Sequence, residues 1–402
     1  MPEEQSLVAL MAIGLSLAFV GGWLAHRLRL SPILGYLAAG IVCGPFTPGF
    51  VGEPHLASEL AEIGVILLMF GVGMHFSVAD LWAVRKIALP GGLIQIAVAT
   101  ALAAGMTSLW GWTLGAGLAF GLALSVASTV VMLRELQGAG TVNTPDGKLA
   151  IGWTLVEDLV MVAVLVLLPA FAGQLGGAAA HKEQSGGTAV WISLAIALGK
   201  VAVFVAAMLL FGTRLFPWLL TKVERTGSRE LFTLAVVALA LGVAFGSAEL
   251  FGVSFALGAF FSGVVINRSD LSHRAAHDLQ PLQDAFGVLF FVAVGMLFDP
   301  RVLVRHPGQV LAVVAIIMVG KSVAALGIVL AFGRGLKTAL TVAAALAQIG
   351  EFSFVLAVLG VELGLMTPEA QNLILAGALL SIGLNPFMFR LLSRAGAMAQ
   401  KA

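Results

Sequence analysis

Thirteen apolar segments of spanning or near-spanning length follow one another along the chain, and this repetition constrains its fold most strongly. They lie at about residues 5–25, 31–50, 57–77, 86–109, 112–136, 147–171, 189–212, 229–249, 252–267, 281–299, 308–332, 336–360 and 368–392. Of the 402 residues, 59% are hydrophobic and only 11% are charged, too few for a soluble surface. Because backbone groups in a bilayer must be bonded internally, the chain is predicted to be an all-α integral membrane protein.

The positions of the basic residues predict its orientation. Seventeen of the 22 Lys and Arg residues fall in loops on one side of the predicted segments, and three fall on the other side. Positive loops stay in the cytoplasm, so the N-terminus is predicted outside and the C-terminus inside. An even number of spans would break this alternation, which favours thirteen transmembrane helices in a bacterial-type inner membrane.

An internal repeat divides the chain. LGYLAAGIV at 34–42 matches LGAFFSGVV at 257–265, and VGMHF at 72–76 matches VGMLF at 294–298, with offsets of 222–223 residues. The two copies start on opposite sides of the membrane, so the repeat is inverted, with segments 1–6 related to segments 8–13. Inverted repeats around a midplane site are typical of secondary transporters, whereas a channel favours rotational repeats.

The same offset aligns two polar interruptions. Ser128–Thr129 in segment 5 corresponds to Gly350–Glu351 in segment 12. Interrupted helices expose backbone groups at membrane depth, which is tolerated only around a polar cavity. The two breaks therefore predict the position of a transport site.

Two adjacent acids, Glu157 and Asp158, interrupt the apolar stretch 151–171. A charge at bilayer depth costs roughly 2.5–3.5 kcal/mol, so an ion or proton site is the default hypothesis. Consecutive helical positions point about 100° apart, so one acid is predicted to face the cavity and the other a partner. A purely structural pair, neutralised by cations elsewhere in the chain, is the alternative.

Other polar residues in apolar segments are candidates for the same site. Lys321 lies midway along segment 11 and needs a carboxylate, for which Glu157 and Asp158 are the candidates, whether the bridge is functional or structural. Gln348 and Glu351 share one helix face and are predicted to line the cavity or to stabilise the crossing. Ser128 and Thr129 offer oxygen ligands or bond back to their own helix.

Several other chemistries have no support in the sequence. The single cysteine, Cys43, excludes an intrachain disulfide and a cysteine-based metal cluster. There is no phosphate-binding loop with its lysine, no HExxH and no nucleophile constellation, so we expect neither an enzyme nor a cofactor. No basic tract indicates nucleic-acid binding.

Across essentially its whole length the chain resembles the monovalent cation:proton antiporter-2 family, within it the Kef-type and YbaL-type members. The features that carry the resemblance are SPILGYLAAGIVCGP at 31–45, LLMFGVGMHF at 67–76, GLALSVASTVV at 121–131, LVEDL at 155–159, FFVAVGM at 290–296, Lys321, and AQIGEFSFVL at 347–356.

The resemblance implies a sodium/proton-antiporter fold in which two discontinuous helices cross. Core helices would occupy about 86–171 and 308–392, scaffold and dimerisation helices about 1–85 and 229–300, and a linker helix about 189–212. Kef-type proteins continue into a cytoplasmic nucleotide-binding domain, which this chain lacks. Either the chain is a piece of a longer protein or the regulator is absent, and a regulatory domain or subunit stays open as a partner.

The function expected from this resemblance is secondary active exchange of a monovalent cation for protons by an elevator-type mechanism, in a homodimer. Asp158 would bind the cation or the proton, and Glu157 would lie near Lys321. Kef-type members commonly carry Gln at the position of Glu157 and electrogenic sodium exchangers carry Asp, so stoichiometry and ion choice stay open. Potassium is the expected ion; sodium, a gated potassium efflux channel, and a membrane sensor without turnover are the alternatives.

Overall fold

The structure is a computed structural model that describes residues 3–28, 30–48, 54–75, 78–177, 196 and 199–399. Every regular element in this part of the chain is helical. The first half contains α1 (Glu3–Arg27), α2 (Pro32–Cys43), α3 (Pro54–His75), α4 (Val78–Leu109), α5 (Leu114–Ser125), α6 (Thr129–Gly138) and α7 (Pro145–Phe171). The second half contains α8 (Gly199–Glu224), α9 (Arg229–Phe251), α10 (Phe255–Asn267), α11 (Ser272–Met296), α12 (Pro307–Ala331), α13 (Leu336–Ala345), α14 (Glu351–Glu362) and α15 (Pro368–Ala399).

Ten stretches of the described chain are long and apolar enough to cross a membrane. One of them, Leu114–Gly138, contains both α5 and α6, while α2, α10 and α13 are shorter apolar helices of 12, 13 and 10 residues. At about 1.5 Å per residue, a 12-residue helix covers only about 18 Å of a hydrocarbon core that is about 30 Å thick. The all-helical membrane fold is therefore confirmed, and the count of thirteen complete crossings stays a prediction.

Local sequence signals set the helix starts. Thr144 accepts a hydrogen bond from the Gly147 amide, and Pro145 occupies the first turn of α7, where its missing N–H costs nothing. Ser228 and Ser254 cap α9 and α10 in the same way. Between these two helices, Gly252 adopts a left-handed conformation (φ 64°), so the connection is very short.

Repeat-related glycines bring helices together at backbone distance. A Cβ on Gly40 of α2 would collide with the Val292 carbonyl of α11, and a Cβ on Gly263 of α10 would collide with the Phe70 carbonyl of α3. Gly40 and Gly263 are 223 residues apart, the offset of the sequence repeat. The two close packings, α2 on α11 and α10 on α3, are thus the same contact made twice, as an inverted repeat requires.

The helices pack as two groups. In one group α3 contacts both α10 and α11, and α2 contacts α1 and α11. In the other, α4 contacts α5 and α7, α12 contacts α4 and α13, and α15 contacts α13. The breaks and the intramembrane acids belong to this second group.

The helix between the repeats ends later than the sequence indicates. We expected segment 7 at 189–212, but the described part of this helix is Gly199–Glu224; residues 189–195, 197 and 198 lie outside the described residues. Arg214 and Lys222 suggested a loop, yet both lie in the helix, where Lys222 stacks on Trp218 at 5.0 Å. Long basic side chains can lay their apolar stems along a helix and keep their charged ends in water. Arg214 and Lys222 are therefore compatible with a helix that continues to Glu224.

Candidate functional site

The two predicted breaks lie against each other. Residues 126–128 separate α5 from α6, and residues 346–350 separate α13 from α14. The Ser128 amide donates to Gln348 Oε1 (2.9 Å), and Gln348 Nε2 donates to the Ser128 carbonyl (3.1 Å). The Gly350 amide donates to the Val126 carbonyl (3.2 Å). Gln348, predicted to line the cavity or stabilise the crossing, therefore bonds one break to the other.

Each break has a local cause. Ser128 is extended (φ −76°, ψ 121°), and its hydroxyl accepts from the Val131 amide, so it ends the linker and begins α6. Gly350 is extended and caps α14. A Cβ on Gly350 would lie only 2.7 Å from the Ser128 Cα, so a larger residue would separate the two breaks.

Glu157 bonds to the first break. Its side chain is completely buried, and Oε2 accepts a hydrogen bond from the Ala127 amide (2.8 Å). This amide lies just before the N-terminus of α6, where free N–H groups and the helix dipole favour a negative charge. Its other oxygen, Oε1, has no hydrogen-bond partner in the described part of the chain.

Lys321 bonds to the second break. It is completely buried at the end of a π-helical turn in α12 (Ile316–Gly320), and Nζ donates to the Gln348 carbonyl (2.8 Å). No nitrogen–oxygen ion pair within 4.0 Å joins Lys321 to a described carboxylate, so the expected direct bridge to an acid is absent. Glu157 and Lys321 instead bond to backbone groups of the two breaks. The break in segment 12 leaves backbone carbonyls without helical partners, and the lysine bonds one of them just beyond the C-terminal end of α13.

Asp158 bonds to a different position from its neighbour. It is 7% exposed, and Oδ2 accepts a hydrogen bond from the Thr129 hydroxyl (2.9 Å) at the start of α6. Its neighbour Glu157 bonds to Ala127, two residues earlier in the same break. The adjacent acids on α7 thus have separate hydrogen-bond partners on one break.

Glu351 is the first residue of α14 and is 6% exposed. Its Oε2 has no hydrogen-bond partner among the described residues. Glu351 directly follows Gly350, which packs against the Ser128 backbone of the first break. All seven predicted residues, from Ser128 to Glu351, therefore lie at or beside one crossing.

Three polar residues that the sequence reading missed also bind the breaks. Gln95 of α4 donates to the Ser125 carbonyl at the end of α5 (3.0 Å). Asn385 of α15 donates to the Ala344 carbonyl (3.1 Å), and Ser322 of α12 donates to the Ala343 carbonyl (3.0 Å). In the sequence, each of these residues is a polar amide or hydroxyl inside an apolar segment. Such a residue indicates that its helix packs against another helix, but not which group it bonds.

A cavity of about 470 Å³ separates the two helix groups. Ala57, Phe290 and Ala293 line it from α3 and α11, while Leu165 of α7 and Val355 of α14 line the other side. Leu165 is seven residues from Asp158, about two helical turns or 10 Å along α7. Most of this lining is apolar.

Residues 15–395 match the transmembrane sodium/hydrogen exchanger family. The chain is 58% identical over 394 residues to YbaL of Escherichia coli (strain K12), named as a candidate cation/proton antiporter; the match covers 98% of this chain and 70% of YbaL. It is 34% identical over 374 residues to K(+) efflux antiporter 4 of Arabidopsis thaliana, covering 92% of this chain and 61% of that protein.

The fold is also similar to a solved structure, the sodium proton antiporter MjNhaP1 from Methanocaldococcus jannaschii. The TM-score is 0.71 at 17% identity, and the alignment covers 97% of this chain and 98% of MjNhaP1. This similarity of fold, together with the family match and the relatives above, leads to one conclusion: the chain belongs to the sodium/hydrogen exchanger family of multi-pass membrane cation/proton antiporters.

Proposed function

We propose that this protein exchanges potassium for protons, with Asp158 as the carboxylate that binds either ion. The observation that carries the proposal is the position of Asp158: a buried acid, bonded to Thr129, at the crossing of two interrupted helices. Such a carboxylate is costly unless a proton or a cation neutralises it. Two ions that compete for one group cannot both be bound, and this competition couples their movements.

The surrounding residues support the crossing on which Asp158 lies. Glu157 accepts from an amide beside the N-terminal end of α6, and Lys321 donates to a carbonyl in the second break, just beyond the C-terminal end of α13. Gln348 holds the two breaks together. In this proposal Ser128 and Thr129 add oxygen ligands to the cation site. Glu157, Lys321 and Gln348 stabilise the conformation of the two breaks around it.

Exchange by Asp158 is tested in proteoliposomes with a pH-sensitive dye inside. Adding potassium should move protons through the wild-type protein, while Asp158→Asn should reduce this flux to that of empty liposomes. Asp270→Asn is the matched control, because Asp270 is exposed in the connection between α10 and α11. Normal exchange by Asp158→Asn would refute the role of Asp158.

Ion choice follows from the same assay. The named activity of the Arabidopsis relatives, potassium efflux antiport, supports potassium. Potassium, sodium, lithium and rubidium are added in turn, and we expect the lowest KM for potassium. A lower KM for sodium than for potassium would make sodium the preferred cation and leave the proposed exchange mechanism unchanged.

The alternating movement is proposed to be of the elevator type. The core would comprise about residues 86–171 and 308–392, and the scaffold and dimer interface about residues 1–85 and 229–300. In support, the helices pack as two groups with a cavity between them. Cysteines placed at Ala293 and Val355, which line the cavity from opposite sides, should stop exchange when a bifunctional reagent joins them. Cys43→Ala provides the background for this experiment.

Several further features belong to the same proposal: an inner (cell) membrane location, an outside N-terminus, a cytoplasmic C-terminus and a homodimer. The basic loops support the orientation. Labelling of cysteines at Ser58 and Lys337 by a membrane-impermeant reagent tests it, since only the first should react in intact cells. The channel alternative predicts unitary currents and a potassium flux that is indifferent to a pH gradient.

A further inference from the structure

Glu351 has a carboxylate oxygen for which the described part of the chain provides no hydrogen-bond partner. The carboxyl is buried at the first position of α14, and Oε2 accepts no hydrogen bond from any described residue. Buried polar atoms in native proteins are almost always satisfied, and an exception commonly marks an unseen water or ion. At bilayer depth, the requirement for a partner is stricter still.

Its location follows from the packing of the two breaks. Gly350 lies directly on the Ser128 backbone, so the next residues, Glu351 and Thr129, begin their helices beside each other. The Thr129 hydroxyl donates to Asp158. The Asp158 carboxyl therefore lies at the start of α6, and the Glu351 carboxyl belongs to the start of the adjacent α14.

The inverted repeat gives a second reason to place Glu351 in the binding site. Thr129 and Glu351 are 222 residues apart, the offset of the repeat, and both are the first residue of their half-helix. One of these equivalent positions already contacts Asp158. The other carries a carboxylate, and two carboxylates at one site repel each other unless a cation or a proton neutralises them.

We propose that Glu351 is a direct ligand of the transported monovalent cation, which it binds through Oε2 opposite Asp158. This inference rests on the proposed function, because it names a second carboxylate at the same site. The cation would bridge α7 and α14 and so replace repulsion between the two acids by attraction to both. The small set of oxygens at this position, two from carboxylates, then contributes to the choice among alkali ions.

The test compares Glu351→Gln with the wild-type protein and with Glu369→Gln, an exposed acid in the first turn of α15. Exchange is measured in proteoliposomes for lithium, sodium, potassium and rubidium, and thermal unfolding is measured in detergent with and without each ion. We expect Glu351→Gln to raise the cation KM about tenfold or more, as the loss of a charged partner does. We also expect a changed ratio of KM values among the four ions and a smaller thermal stabilisation by each ion. Glu369→Gln should match the wild-type protein in KM, in the ratio of KM values and in thermal stabilisation.

A merely structural role predicts a different result. If Glu351→Gln lowers the maximal rate equally for all four ions and leaves KM and the ratios unchanged, the inference is overturned. Glu351→Asp, which withdraws the carboxylate by one methylene, serves where the glutamine variant does not fold; an unchanged ion order in that variant also overturns it. A wild-type protein that shows no exchange at all would instead refute the proposed function.

Discussion

Replacing Lys321 by methionine should destabilise the protein more than any comparable change at its surface. In the wild-type protein, the completely buried Lys321 Nζ donates a hydrogen bond of 2.8 Å to the Gln348 carbonyl. Methionine has a similar length but cannot donate this bond. Losing a hydrogen bond from a charged donor costs about 1.5–3 kcal/mol. Where the change leaves Glu157 as an uncompensated buried charge, the cost rises to about 3–5 kcal/mol.

The role of charge balance is separated from packing by a double-mutant cycle. Glu157→Gln removes the buried acid that bonds to the first break, opposite Lys321 on the second break. If the two charges compensate each other, Lys321→Met combined with Glu157→Gln should cost less than the sum of the single changes, by about 0.5–3 kcal/mol.

Unfolding of the purified protein in detergent, followed by intrinsic fluorescence during a denaturant titration, gives the four free energies. Lys337→Met is the control, because Lys337 is exposed at the start of α13 and should change stability little. Strictly additive single changes would show that Glu157 and Lys321 do not compensate each other. A Lys321→Met protein as stable as the wild type would refute the reasoning about the second break.

Three further changes test the packing and the site. Gly40→Ala should lower the free energy of unfolding by about 1–3 kcal/mol in the same titration, because its Cβ meets the backbone of α11. Gly242→Ala is the control and should leave stability unchanged, because no atom lies within 4 Å of its Cβ. Equal effects of the two changes would argue against the close packing. Gln348→Met removes the two side-chain hydrogen bonds to Ser128 and should lower the maximal exchange rate in proteoliposomes at least about tenfold. Full activity would show that the crossing does not depend on these two bonds. Thr129→Val keeps the shape of the side chain but removes the donor to Asp158. We expect a several-fold change in the cation KM and a loss of stability of about 1–3 kcal/mol; an unaltered KM would contradict a role of Thr129 at the site.

The sequence predicts the breaks and the acids well because each leaves a local signal. Ser128–Thr129 and Gly350–Glu351 interrupt apolar segments at one repeat offset, and the structure brings these breaks together. Glu157 and Asp158 were recognisable by their cost in a membrane alone.

The partners of these side chains could not be read in the same way. A carboxylate was the expected partner of Lys321, and its bond to the Gln348 carbonyl was not foreseen, because the sequence displays charged side chains but not the backbone carbonyls that a helix break exposes. Gln95 and Asn385 were missed for the same reason, since both donate to carbonyls at helix ends. The end of α8 was placed too early because Arg214 resembles a loop residue when its depth in the membrane is unknown.

The central claim is that a cation and a proton compete for the carboxyl group of Asp158. The most direct measurement is proton release from the purified, weakly buffered protein when potassium is added, recorded with a pH indicator at several starting pH values. Competition predicts that potassium releases protons from the wild type but not from Asp158→Asn, and that its apparent Kd rises as the pH is lowered. Potassium binding without proton release, or equal release from the Asp158→Asn protein, would contradict the account.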